Sequence, residues 1–459
     1  MGPKLLLLFV VGDILGTGVY ALTGQVAGEV GGAAWLPFLV AFSVALLTAC
    51  SYLELVTKYP RAAGAALYAH KAFGIHLVTF LVMFTVMSSG ITSASAASSA
   101  FAANFTLGFG LAQDAGLLLA IALLFMGVVA AVNLRGVAEG VGLNVVLTLV
   151  ELSGLLLVIL IGMFAILGGQ ADFSRVIVFE NSEGKSALLA VSAATSLAFF
   201  AMVGFEDSVN MAEEVKEPHR IFPRVMLTGL IITAIIYVLI SIIAVAIVPV
   251  GKLADSATPL VTVVQTAAPG FPIGSLLPFI SLFAVGNSAL INMMMASRLI
   301  YGMSRQGVVP PVLSRVLPTR RTPVAAIAFT TLVSFALIIF ISLDPKNPVV
   351  GLLGGTTSLL LLAVFAVVNV AVLVLRRDPV AHEHFRTLTV LPVIGAVVCV
   401  YLVLPWTSGR DPGQYAIALP LLGLGLVLWL ATFLHRRARG YHEVDLDTTT
   451  IESVESGRD

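Results

Sequence analysis

The chain has 459 residues, 58% of them hydrophobic and only 11% charged, with a formal net charge of zero. Soluble domains are about a quarter charged, so the composition excludes an ordinary soluble protein and indicates a polytopic membrane protein. Zero net charge offers no case for nucleic-acid binding, and the two cysteines, Cys50 and Cys399, fall in separate apolar runs and support neither a disulfide framework nor a metal site. Glutamate, aspartate and histidine nowhere cluster at ligand spacing, so no metal or cofactor is expected.

A transmembrane helix needs about 20 apolar residues. That ruler predicts twelve spans, roughly 4–30, 34–57, 72–103, 112–133, 140–168, 186–214, 222–249, 273–301, 323–343, 349–375, 388–406 and 415–435. Lys4 and the apolar Leu5–Val11 mimic a signal peptide, but Gly12-Asp13 follows where a small-x-small cleavage site would stand, so a retained first helix is expected. An even number of spans puts both termini on one side. Twenty of the 25 Lys and Arg residues fall on that side, which predicts cytoplasmic termini and a location in the cell membrane. The polar, acidic stretch 440–459 reads as a disordered cytoplasmic tail.

The first span is anomalous. Val11-Gly12-Asp13-Ile14-Leu15-Gly16-Thr17-Gly18-Val19-Tyr20 holds three glycines and an aspartate where a lipid-facing helix should hold leucines. Glycine weakens a helix by about 1 kcal/mol relative to alanine. Irregular backbone at membrane depth survives only where protein or a water-filled cavity satisfies it. The pattern predicts a helix broken at Gly16-Thr17-Gly18, with the N-terminus of its outer half aimed at a site for an anion such as a carboxylate.

Farther along, Glu54 at the end of the second span is expected to pair with Lys58 one turn later or with a loop arginine. The third span is dense in small residues from Ser88 to Ser99, which suits close helix packing, with a hydroxyl-lined substrate wall as the alternative. Glu151 lies deep in the fifth span and must face the bundle interior, be paired or be protonated. It is either a structural, hydrogen-bonded residue or a proton-coupling one.

The sixth span repeats the opening anomaly in Phe199-Phe200-Ala201-Met202-Val203-Gly204-Phe205-Glu206-Asp207. Two broken helices five spans apart are the best sequence pointer to an inverted-repeat transporter with its site at the midplane. Pro218 is expected to end that helix. The 251–272 stretch, rich in Pro, Gly and Ala, reads as an extracellular loop and candidate lid. Asn287 and Ser288 either line a cavity or bond between helices. The last two spans lack such signals and are assigned a peripheral or oligomer role.

Four stretches together resemble the amino acid–polyamine–organocation (APC) superfamily of permeases, and especially the bacterial branch similar to cationic amino acid transporters. They are Gly16-Thr17-Gly18; Glu54-Leu55 with Tyr59-Pro60-Arg61-Ala62-Ala63-Gly64; Phe199-Phe200-Ala201 through Gly204-Phe205-Glu206 to Ala212-Glu213-Glu214-Val215-Lys216; and Ser297-Arg298-Leu299-Ile300-Tyr301 through Arg305. The resemblance covers essentially all twelve spans. It implies an all-α protein of the leucine-transporter fold, with two inverted five-helix repeats (1–169 and 186–375) followed by two extra helices (388–435). It implies alternating-access transport of amino acids or related amines, and no enzymatic activity.

The resemblance also implies that a substrate carboxylate meets the N–H groups of Gly16, Thr17 and Gly18. The ammonium then meets carbonyls near Ile14 and near Phe200, Ala201 and Val203, with Phe205 as a gating aromatic. Glu151 stands where many proton-coupled members of the family carry a lysine. Asp13 replaces a small residue usual before the glycine motif. Asp13, Glu206 and Asp207 put three acids near one midplane, where they repel one another when ionised. Capping of the outer half-helix suits Thr17 better than Asp13. Proton symport on Glu151, Asp13 and Glu206 is the first expectation, exchange the second, sodium coupling the third. A transporter-like sensor or receptor is the alternative of a different class.

Overall fold

A computed structural model describes residues 2–438, apart from 61–63, 137–140, 182–183, 216, 271–272, 318–321, 345–346 and 381. The tail 440–459, Arg61-Ala62-Ala63 and Lys216 lie outside the described residues, as do the side chains of Glu213 and Glu214. Among the described residues there is no β-strand, only two isolated bridges.

The chain opens with α1 (Pro3–Ile14), α2 (Thr17–Val30), α3 (Trp35–Lys58), α4 (Gly64–Phe73), α5 (His76–Gly108), α6 (Ala115–Arg135), α7 (Val141–Leu167) and α8 (Ala187–Phe200). It continues with α9 (Pro218–Ile247), α10 (Val250–Ala254), α11 (Pro259–Ala267), α12 (Ile273–Arg305), α13 (Val324–Ser342), α14 (Val349–Leu375), α15 (Val390–Val403), α16 (Pro405–Ser408) and α17 (Pro412–Ala438).

Nine helices among the described residues are long and apolar enough to cross a membrane, and the α1–α2 pair, bent by 41°, makes a tenth. The expected sixth and eleventh spans are represented by α8 and α15, each of 14 residues. Fourteen residues rise about 21 Å, short of a hydrocarbon core about 30 Å thick. After α8 the chain turns through residues 201–206 into a 3₁₀ segment, Asp207–Glu214.

Two local expectations are corrected. Pro218 does not close a helix; it is the first residue of α9, where its missing N–H costs nothing. The 251–272 stretch is no irregular loop, because α10 and α11 occupy most of it. Leu253, Leu260, Val261, Val263 and Val264 bury their side chains there, and α10 and α11 pack onto α2. Pro259 again stands at a helix start.

Glu54 pairs with a loop arginine and not with Lys58, as one of the two expected alternatives had it. Its two oxygens take Nε (2.7 Å) and Nη2 (2.6 Å) of Arg376, just past α14, and the Thr387 amide adds a third bond at 2.9 Å. That bonding holds the Arg376 guanidinium above its usual pKa. Lys58 instead donates to the carbonyls of Leu375 and Asp378. The Tyr59 hydroxyl donates to Asp378 Oδ2 at 2.7 Å, and burial and that carboxylate raise its pKa.

The small residues of α5 serve packing. The helix lies against α12 and α14. Its hydroxyls bond across helices, Thr92 to Thr357 (2.8 Å), Ser95 to Ser334 (2.7 Å) and Ser98 to the Ala122 carbonyl (2.6 Å). Such bonds satisfy hydroxyls that lipid cannot.

Candidate functional site

The first helix breaks at Leu15-Gly16, one residue earlier than expected. Leu15 leaves helical geometry at ψ 40°, Gly16 is extended, and Thr17 is already the first residue of α2. The capping assignment is therefore corrected: Gly16, not Thr17, is the N-cap, and no side chain caps α2. Thr17 Oγ1 is buried without a hydrogen-bond partner among the described residues. The first-turn amides of Thr17, Gly18 and Val19 have no preceding carbonyl in helical register.

The second break lies beside the first. A continuing helix would aim the Gly204 amide at the Phe200 carbonyl. Instead that amide donates to Glu206 Oε2 at 2.9 Å. Gly204 has φ 121°, a conformation that L side chains rarely adopt, and a Cβ there would sit 2.5 Å from the Asp13 carbonyl oxygen. A Cβ on Gly18 would sit 2.5 Å from the Ala201 Cα. Each break is thus pressed backbone to backbone against the other helix. The carbonyl ends of α8 and the amide start of α2 meet where Gly18 lies on Ala201.

The other predicted residues are distributed unevenly around this junction. The Ile14 carbonyl is not a vacant acceptor, because the Tyr237 hydroxyl (2.8 Å) and the Gly16 amide (2.9 Å) both donate to it. Val203 lines a cavity of about 70 Å³ together with Glu206 and Asp207. Phe205 does not line it. Its ring is fully buried, edge-to-face with Tyr52 at 5.9 Å and tilted against Phe365 at 5.4 Å. Ser288 of α12 backs the first break, 2.7 Å from where a Gly16 Cβ would be. A second cavity of about 370 Å³ lies toward the other end of α2, beside Ala21 and Gln25.

Glu151 is buried and Asp13 half-buried, and the buried oxygens Asp13 Oδ2 and Glu151 Oε1 have no hydrogen-bond partner among the described residues. Each is close enough to feel the other's charge, as Asp13 also feels Glu206 and Asp207. Two phenols frame the pair. The Tyr20 hydroxyl donates to the Glu151 backbone carbonyl at 2.9 Å, and Tyr237 lies within the field of the Glu151 side chain.

Sequence reasoning missed Tyr20 and Tyr237. The available signal was a phenol inside an apolar run, since a buried Tyr hydroxyl usually finds a partner. Its partner, 223 residues away for Tyr237, carried no signal.

An amino acid permease family model matches residues 3–427. The chain is 28% identical to the methylthioribose transporter of Bacillus subtilis (strain 168), over 92% of this chain and 88% of that protein. It is 26% identical to the branched-chain amino acid permease BcaP of the same organism, over 88% and 87%. It is 27% identical to the vacuolar cationic amino acid transporter 4 of Arabidopsis thaliana, over 80% and 62%. These relatives are transporters, and with the apolar helices they mark a multi-pass membrane protein that is a transporter rather than an enzyme. The chain belongs to the amino acid permease family.

Proposed function

We propose that the protein is a secondary active transporter that carries α-amino acids or related amines across the cytoplasmic membrane by alternating access. The observation that carries this reading is the abutment of the two helix breaks, Gly18 on Ala201 and Gly204 on Asp13. An amide-rich helix start attracts a carboxylate, and carbonyls released at a helix end attract an ammonium, so the junction suits a zwitterion. In this reading the carboxylate lies on the amides of Thr17 and Gly18, the Gly16 amide being taken by the Ile14 carbonyl. The ammonium lies on the carbonyls of Phe200, Ala201 and Val203.

The chain crosses the membrane twelve times in this reading, with both termini cytoplasmic, as two inverted repeats (1–169 and 186–375) and two further helices (388–435). The relatives' names span branched-chain amino acids, cationic amino acids and methylthioribose. Methylthioribose has neither carboxylate nor ammonium, and the first-turn amides and released carbonyls of the junction favour the amino acids.

Transport is driven by protons in this reading. The Asp13 and Glu151 carboxylates each keep a buried oxygen with open lone pairs beside the junction, near Glu206, Asp207, Tyr20 and Tyr237 and with no hydrogen-bonded base among the described residues. A buried acid of this kind must take a proton or a cation when its surroundings close.

The test is uptake into proteoliposomes, screening labelled amino acids and polyamines, with and without an inward proton gradient and with sodium absent. Saturable, gradient-driven uptake of one class is expected. Glu151→Gln is expected to abolish or shift the pH dependence while leaving exchange measurable. Uptake indifferent to the gradient removes the coupling assignment, and absence of uptake for every compound removes the transport reading.

A further inference from the structure

The 70 Å³ cavity holds a charge pattern that the junction does not use. It is walled by α3, α4, α5, α12 and α14 and floored by the second break. From α12 it receives the half-buried guanidinium of Arg298, which has no hydrogen bond and no ion pair among the described residues. From the break it receives Glu206 and Asp207. Glu206 is engaged by the Gly204 amide through one oxygen, and neither acid pairs with Arg298. A cation and two acids thus line one small cavity without pairing with each other among the described residues. No protein group among the described residues therefore competes with a ligand for this guanidinium.

Between these charges the wall is polar and uncharged. Ser89, Asn292 and Thr357 face the cavity, while Tyr52 and Met295 supply apolar surface. A water needs roughly 10–15 Å³ of such space, so about 70 Å³ holds several heavy atoms, the scale of an amino-acid backbone with a small side chain.

We propose that this cavity is a second binding site for the zwitterionic head of an α-amino acid, on the α4 side of the junction. Arg298 takes the carboxylate, as its planar fork is shaped to do, and Glu206 and Asp207 take the ammonium. The site rests on the amino acid reading above. A substrate passing between the junction and the α4 side then exchanges amides for a guanidinium at one end and carbonyls for carboxylates at the other.

The experiment is equilibrium binding of tritiated glycine and L-alanine, which match the size of the cavity, to the purified full-length protein in nanodiscs. Two sites per chain of unequal affinity are expected for at least one probe. Arg298→Gln should weaken one of them by about tenfold or more and leave the other. Arg298→Lys should restore part of the loss, and Met295→Trp, which fills the cavity from the same helix, should remove the same site. Gly18→Ala should remove the other site and leave the one that depends on Arg298. A single site per chain, or two sites indifferent to Arg298→Gln and Met295→Trp, overturns the proposal while leaving the junction site standing. No saturable binding of either probe overturns both.

Discussion

Gly18→Ala is expected to weaken substrate binding by about 100-fold while the protein still folds. A Cβ at this position would lie 2.5 Å from Ala201 Cα, 2.7 Å from its Cβ and 2.9 Å from its nitrogen. Two of these are backbone atoms that cannot rotate away, so α2 and the end of α8 must separate. Overpacking of this kind costs about 1–3 kcal/mol, which a domain with many buried helices survives. Binding suffers more, because the groups proposed for the two ends of the substrate lie on the two helices being forced apart. A loss of about 2.7 kcal/mol is 100-fold in affinity.

Gly204→Ala should act alike, since it combines a strained φ with a collision against Asp13. Gly16→Ala should be milder, because the neighbour is the Ser288 hydroxyl, a side-chain tip that can turn. Gly16→Leu exceeds that allowance and should abolish binding. Affinity in Gly18→Ala within about threefold of the original would show that the substrate does not use this junction.

The second large effect is on stability. Arg376→Ala should destabilise the protein by about 3–5 kcal/mol, because it leaves the Glu54 carboxylate buried without its counter-charge. Glu54 is 1% exposed and Arg376 11% exposed, so neither end has much water to turn to. Glu54→Ala should cost less, since Arg376 keeps bonds to the Thr387 carbonyl (2.7 Å) and Thr389 Oγ1 (2.8 Å). The double variant should lose less than the two single losses together, which is the signature of a direct pair. Thermal unfolding in nanodiscs reads all three. Additive losses, or an Arg376→Ala variant as stable as the original, would show that the pair contributes little to joining α3 to α14.

The opening break was legible because glycine density and an aspartate contradict a lipid-facing helix, whatever the tertiary structure. Its exact position was not. Whether Gly16 or Thr17 becomes the cap depends on the backbone of Gly16, and only glycine tolerates several answers there. Pro218 was read as a breaker, yet it occupies the first helical position, where the sequence around it allows either reading. The buried face of α11 was available in the spacing of Leu260, Val261, Val263 and Val264, but Pro and Gly nearby outweighed it. A loop arginine as the partner of Glu54 was legible, but which one was not, because Arg376 stands 322 residues away. The same holds for Arg298, whose place in a cationic motif was visible but whose position opposite Glu206 and Asp207 depends on how α12 meets the second break.

The most direct test of the central claim is an experimental structure of the protein with its transported amino acid bound. The account predicts the ligand carboxylate within hydrogen-bond distance of the Thr17 and Gly18 amides, and its ammonium on the carbonyls of Phe200, Ala201 or Val203. A transported amino acid seated elsewhere, with those amides untouched, would contradict it.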